Sequence, residues 1–279
     1  MSRSLRSFAS RPLAVVGLLV LFLIGAVALA APYLYPGDPL DTVAQPLLWP
    51  AQVAQYPLGT DALGRDVAAQ IAHGARASLT TGFAAGLIGV LLGTVLGAVA
   101  GYFGGWADDV LSRVTELFQV TPSFLLMIVI VALGSPSAQV ISLAIGLTSW
   151  PTVARLVRAE FRTLKERDFV LAARTLGFGN ARIILREILP NALAPVIVTA
   201  TVLVATAILM GASLAFLGLA DPNTVSWGSM IGDGRGLLRT AWYLTALPGF
   251  SLTLTVVALN LVGDGLTEAL NPRLRELVA

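Results

Sequence analysis

The sequence predicts an all-α integral membrane protein with six transmembrane helices. Three observations carry this. Charged residues are only 12% of the 279 residues and hydrophobic residues are 56%, whereas a soluble domain carries roughly 25% charge; mean hydropathy is +0.81. Uncharged runs cover 12–37, 77–107, 117–154, 188–220 and 240–263, each long enough for the roughly 20 apolar residues of a spanning helix. The third run is long enough for two passes and is interrupted by the turn signal Gly134-Ser135-Pro136-Ser137. The runs are continuous rather than alternating, which excludes the strand pattern of a membrane barrel.

The spans are expected near 12–31, 79–101, 117–133, 139–157, 191–217 and 243–262. A short basic tail, residues 1–11, precedes the first. Its apolar stretch exceeds the 7–15 residues, roughly, of a signal-peptide core, so it is read as retained despite the small-residue site Ala28-Leu29-Ala30. Residues 32–78 read as a polar loop with Asp61 and Asp66 in turn or cap positions. A metal site from Asp61, Asp66 and His73 fits no ligand spacing. In span 2, Gly89, Gly93, Gly97 and Gly101 recur every fourth residue, which puts one side-chain-free face toward a neighbouring helix. Residues 101–113 read as a short turn bearing Asp108 and Asp109. Pro151 is expected to kink span 4. A second polar loop, 218–242, precedes span 6.

Charge sets the orientation. With a cytosolic N-terminus and six spans, the cytosolic segments hold 14 of the 18 basic residues: Arg3, Arg6, Arg11, Arg113, eight between Arg155 and Arg186, Arg273 and Arg275. Only Arg65, Arg76, Arg235 and Arg239 fall outside. That bias follows the positive-inside rule and places both termini and residues 160–190 in the cytosol. The basic residues are confined to loops, so the net charge of +2 is no nucleic-acid signature. The chain has no cysteine, which excludes disulfides and thiolate metal sites.

The 160–190 stretch reads as two short amphipathic helices. The first, 162–176, stops at Gly177. The second, 181–189, is capped by Asn180 and ended by Pro190. Ile183, Ile184 and Ile188 oppose Arg182 and Arg186, and such a face needs cover from headgroups or a partner's groove.

Ala172, Ala173, Gly177, Leu189 and Pro190 stand at the spacing of Glu-Ala-Ala, three residues, Gly, nine residues, Ile, one residue, Leu-Pro. This resembles the EAA loop of ABC importer permeases, with Leu171 in place of the usual Glu and Glu187 in place of Ile. Further blocks in order extend the likeness: PLGTDALGRDV at 57–67, GARASL at 74–79, AGYFGGW at 100–106, ILPNALAPVIV at 188–198, SLAFLGL at 213–219, SWGSM at 226–230 and LNLVGDGL at 259–266. Together they resemble the second permease subunit of dipeptide, oligopeptide and nickel ABC importers. The resemblance implies a type I importer permease fold, divided into an N-terminal tail, first span and outer loop (1–78) and a five-span core (79–279). It implies a coupling surface from Ala172, Ala173, Arg174, Leu176, Gly177, Asn180, Arg182, Leu189 and Pro190. The implied partners are a homologous second permease, two cytosolic ATPase domains and an extracytoplasmic solute-binding protein, in a bacterial inner membrane. ATP and Mg would sit on the partners and no cofactor on this chain.

The residues themselves agree. A phosphate-binding loop needs a Gly-rich turn and Lys, and the one lysine, Lys165, sits in Lys-Glu-Arg. No ionisable residue falls in the core of a predicted span, so an ion relay has no carrier. No nucleophile–base or metalloprotease pattern is present. The polar span residues Ser123, Thr148, Ser149, Thr206, Ser213 and Asn260 are open to two readings, as a path lining or as helix-backbone bonds.

Overall fold

The computed structural model describes residues 8–270; Arg3, Arg6, Arg273 and Arg275, counted above, lie outside the described residues. Among the described residues every regular element is a helix, apart from two isolated β-bridges in the 35–66 segment. The helices are α1 (Pro12–Leu34), α2 (Val67–Phe103), α3 (Gly105–Val120), α4 (Ser123–Leu133), α5 (Ala138–Leu164), α6 (Asp168–Thr175), α7 (Asn180–Phe216), α8 (Trp227–Gly234) and α9 (Tyr243–Leu270).

Helix α2 starts twelve residues before the predicted span, because polar residues such as Gln70 and His73 are absorbed into its first turns. Asp66 caps it, accepting from Ala68 N–H at 2.8 Å. With 37 residues and a rise of about 1.5 Å each it is roughly 55 Å long, well beyond the ~30 Å of hydrocarbon. Gly104 and Gly105, both at positive φ, end it. The expected turn over 101–113 is confined to these two residues; the rest, Asp108 and Asp109 included, is helical.

The glycine stripe of α2 lies against the backbone of α5. A Cβ on Gly93 would sit 2.7 Å from Trp150 O; on Gly97, 2.5 Å from Ala154 O; on Gly101, 2.7 Å from Arg158 O. The neighbour's number always exceeds the glycine's by 57, and Gly89 continues the series at Gly146 O, 3.5 Å. A constant offset means that α2 and α5 run parallel. Gly82 and Gly86, on another face, meet Ile208 and Val204 of α7. There the numbers fall as the glycines rise, so α7 runs antiparallel. By the same test α9 is antiparallel to α1, where Gly17 meets Ala258 and Gly265 meets Ala14.

Parallel α2 and α5 require the chain between them to return across the bilayer. α3 and α4 together make that return, bent by 89° at Thr121-Pro122. The straight third span expected over 117–133 is therefore replaced by a broken one. Thr121 (ψ 127°) and Pro122 (φ −56°, ψ 112°) leave helical geometry and α4 starts anew, with no Pro122 N–H to carry the helix across the break. Six crossings result, with five unbroken helices long and apolar enough to span and the bent pair as the sixth. Both ends of the bundle and the 165–179 loop share one face; the 35–66 and 217–242 segments share the other.

On that far face α8 docks on α2: Trp227 Nε1–H donates to Ile71 O at 3.1 Å and Trp227 N–H to Ser78 Oγ at 3.2 Å. The Tyr243 hydroxyl reaches Leu48 O (2.9 Å) and Thr60 O (2.8 Å), tying the 35–66 segment to α9.

Gly97→Leu is expected to destabilise the protein by about 2–3 kcal/mol, since backbone cannot yield as a side chain does. Gly25→Leu, where nothing lies within 4 Å, is expected to be neutral. Thermal unfolding of both variants in one detergent checks this.

Candidate coupling surface and translocation cavity

The 165–179 loop is a rigid base with an apolar tip. In α6, Val170 (0% exposed) and Ala173 (4%) enter a cluster with Val157, Phe161, Ile183 and Ile188. α6 closes in a Schellman motif: Gly177, at φ +78°, donates to Arg174 O at 2.9 Å and Phe178 N–H to Ala173 O at 3.1 Å. Only a residue free of a Cβ takes that conformation cheaply. The side chain just before it, Leu176, is 72% exposed, and Leu171 and Phe169 are also exposed beside it.

The nine expected coupling residues divide into two groups. Ala172, Arg174, Leu176, Gly177, Asn180, Arg182 and Pro190 are at the surface, whereas Ala173 is buried and Leu189 is half-buried. Of the two alanines, then, Ala173 lets α6 approach the bundle and Ala172 faces outward. Three helix boundaries differ from expectation. The first loop helix is broken at 165–167, so its beginning belongs to α5. Asn180 caps nothing; it is the first residue of α7 and its Oδ1 accepts from Tyr102 O–H at 2.8 Å. Pro190 does not end a helix either. Ile183–Ile188 forms a π-helical turn in which Leu189 N–H reaches Ile184 O. The wider turn relieves the clash of the Pro190 ring with the carbonyl four residues back, and α7 runs on unbroken to Phe216. α5 likewise continues through Pro151.

Three residues to which the sequence reading gave no such role hold the helices together at this end. Tyr102, at the inner end of α2, bonds Asn180 and lies under the Arg174 guanidinium, 5.8 Å from the ring centroid. Phe178 carries the Arg182 guanidinium at 3.7 Å, a cation–π contact. Asp108, 3% exposed, ties α3 to α5. Its Oδ1 takes Arg158 Nε–H in a short contact, and its Oδ2 takes Arg158 Nη2–H at 2.8 Å and Arg162 Nη2–H at 2.5 Å. Reading 101–113 as a turn hid Asp108. The helical spacing of Ala107, Leu111, Val114 and Thr115 around it was the available signal.

Between the α3–α4 bend, α5 and α7 lies a cavity of about 590 Å³. It gathers Ser123, Thr148, Ser149 and Thr206 of the polar span residues. Ser213 and Asn260 are exposed elsewhere, and Ser213 Oγ bonds its own helix at Leu209 O.

The far face carries a second cavity, about 390 Å³, lined by Asp61, Arg65, Gln70 and Asp233. Burial pushes the Asp233 carboxyl above its usual range; Asp61 adds to this and the guanidinia of Arg65 and Arg235 oppose it. Asp61 accepts from Leu63 N–H, Arg65 N–H and Gln70 Nε2–H, and His73 Nε2 lies 3.1 Å from Tyr35 O. Each of the three residues weighed as metal ligands thus has its own protein partner. Among the described residues no three His, Cys, Asp or Glu gather to hold a metal.

Six crossings, an anchored loop with an exposed apolar tip and a hydroxyl-lined cavity describe a multi-pass membrane subunit of the kind that transporters are built from. Residues 93–276 match the family described as binding-protein-dependent transport system inner membrane component, and residues 1–56 match the N-terminal transmembrane domain of oligopeptide transport permease C. The chain belongs to this binding-protein-dependent permease family. It is 40% identical over 94% of its length to the dipeptide transport system permease protein DppC of Alkalihalophilus pseudofirmus, covering 86% of that protein. It is 40% identical to the di/tripeptide permease DppC of Pseudomonas aeruginosa (97% of this chain, 91% of the relative). It is 38% identical to the glutathione permease GsiD of Escherichia coli (97% and 89%). Among solved structures, an inward-facing form of the MetNI methionine ABC transporter superposes with TM-score 0.59 at 19% identity, over 72% of this chain and 96% of that one. The fold is that of a type I ABC importer permease.

Asp108→Asn is expected to release α3 from α5. Breaking a fully buried pair costs about 3–5 kcal/mol. The guanidinia here are 30% and 51% exposed, which lowers the expected cost to about 2 kcal/mol. Asp109→Asn, at an exposed neighbour, is expected to stay within about 0.5 kcal/mol. Denaturation in detergent distinguishes them.

Proposed function

We propose that this chain is the second permease of a peptide-importing ABC transporter. It pairs with a homologous permease to enclose a path, receives cargo from an extracytoplasmic solute-binding protein, and is moved by two cytosolic ATPase domains that carry the ATP and Mg. The chain itself binds no nucleotide and performs no hydrolysis. The peptide permeases among its relatives, at about 40% identity over nearly the whole chain, support this cargo class. The positive-inside bias supports a cytosolic position for the termini and the 165–179 loop, and therefore for the exposed tip.

One observation carries the coupling assignment. Leu176 holds a large apolar side chain in water, 72% exposed, on a base that burial and a Schellman turn make stiff. An isolated exposed leucine is ordinary. Here it is flanked by exposed Phe169 and Leu171 and by the guanidinium of Arg174, a patch suited to an apolar groove with an acidic rim. Force applied there reaches α2 through Tyr102 and α5 through the buried cluster.

Leu176→Asp is expected to leave folding intact, because most of that side chain is exposed, and to weaken ATPase docking about 30-fold, the worth of a hot-spot side chain of ~2 kcal/mol. Binding-protein-stimulated ATP hydrolysis by the reconstituted assembly is the readout. Stimulation equal to that of the wild type would refute the coupling surface.

A further inference from the structure

We propose that Arg155 is the group in the translocation cavity that receives the carboxylate of the cargo. This deepens the importer reading and rests on it. The cavity volume, about 590 Å³, lies in the roughly 300–1,000 Å³ range of small-molecule sites. Four of the seven hydroxyls in its walls have their protons committed to their own helices. Thr121 donates to Leu117 O (3.0 Å), Thr148 to Ala144 O (2.9 Å), Ser149 to Ile145 O (2.7 Å) and Thr206 to Val202 O (2.9 Å). A hydroxyl with its proton spent offers only lone pairs. These four therefore offer acceptors to the N–H groups of a peptide, while Ser123, Thr152 and Thr199 are free to donate or accept.

Arg155 supplies the charge that the hydroxyls lack. Among the described residues it is the one ionised side chain lining this cavity. Its neighbours one and two turns on, Arg158 and Arg162, are neutralised by Asp108. Arg155 makes no ion pair or hydrogen bond within the described residues. Glu116 shares with it a small adjoining pocket but forms no ion pair with it. A guanidinium is charged at every working pH and takes a carboxylate through two parallel N–H donors. Along α5, Arg155 stands six residues beyond Ser149 toward the loop face, which is about 9 Å. That separation equals two to three residues of extended chain, at roughly 3.3–3.6 Å each. A short peptide with its N–H groups on the hydroxyl walls and its free carboxylate on Arg155 satisfies both ends. The far-face cavity, by contrast, mixes Asp61 and Asp233 with Arg65 and presents no single sign.

The absence of cysteine from this chain makes a direct test possible. Arg155→Cys is assembled with its ATPase and permease partners in proteoliposomes, and ATP-dependent uptake of a tripeptide preloaded on the binding protein is measured, with wild type treated in parallel. Uptake is expected to fall about tenfold while stimulated ATPase activity persists. Aminoethyl methanethiosulfonate, which returns a cation, is expected to restore uptake; the methyl reagent is expected not to. In companion variants Arg155→Lys retains part of the uptake and Arg155→Gln loses it, and neither changes uptake of a C-terminally amidated tripeptide. Unchanged uptake by Arg155→Gln, equal loss by Gln and Lys, or equal loss of free and amidated peptide overturns the assignment. If the wild-type assembly takes up no tripeptide with ATP, the importer reading itself fails, and this assignment with it.

Discussion

Between Gly89 and Gly101 the backbone of α2 rests on the backbone of α5, with glycine on one side and carbonyl oxygens on the other. In hydrocarbon there is no hydrophobic drive between helices, so close packing and weak Cα–H···O contacts must hold them. Side chains of any size would separate the pair and forfeit both. The offset of 57 residues along this seam fixes the two helices in parallel. It thereby forces the intervening chain to cross back, creates the bend between α3 and α4, and leaves the space that the cavity occupies. The second glycine face of α2 seats α7 on the opposite flank. α2 is therefore the common wall of the bundle.

The face that carries the 165–179 loop is built by a different kind of bond. There the helices emerge from lipid, and polar groups take over from van der Waals contact. Asp108 draws α3 onto two arginines of α5, and Tyr102 draws α2 onto the start of α7. The buried cluster of Val170, Ala173, Ile183 and Ile188 fills the space between. The loop is thus attached to α2 through Arg174 over the Tyr102 ring and to α5 and α7 through the buried cluster, while its outermost side chains are exposed.

Much of this architecture is legible in the chain. Uncharged runs locate the crossings because each ionised group in the bilayer core is costly, and the four-residue recurrence of glycine marks the seam. The Gly177 stop is equally readable, since a positive φ selects glycine. What escaped has a physical cause in each case. Apolarity continues across Thr121-Pro122, so hydropathy cannot register a bend there. Pro190 reads as a terminator only if the helix before it is α; the π turn at Ile183–Ile188 removes the conflict, and nothing local in the residues announces such a turn. Asn180 has the chemistry of a cap, but a tyrosine 78 positions away claims its oxygen. The cavity joins residues from four helices and exists only after they pack.

The length of α2 has a mechanical consequence. One uninterrupted rod meets Trp227 near its first turns and Asn180 at its last, so it contacts both solvent-facing ends of the molecule. Pivoted at the glycine seam, which lies in its inner half, such a lever swings the far tip by roughly 4 Å and the near tip by about 1 Å for a tilt of about 5°. The two tips move in opposite senses, and at the fulcrum α2 presents glycines, with no side chain of its own to unmesh from α5. Displacement at one surface is then felt at the other as simple leverage, with no relay of rearranging groups in between.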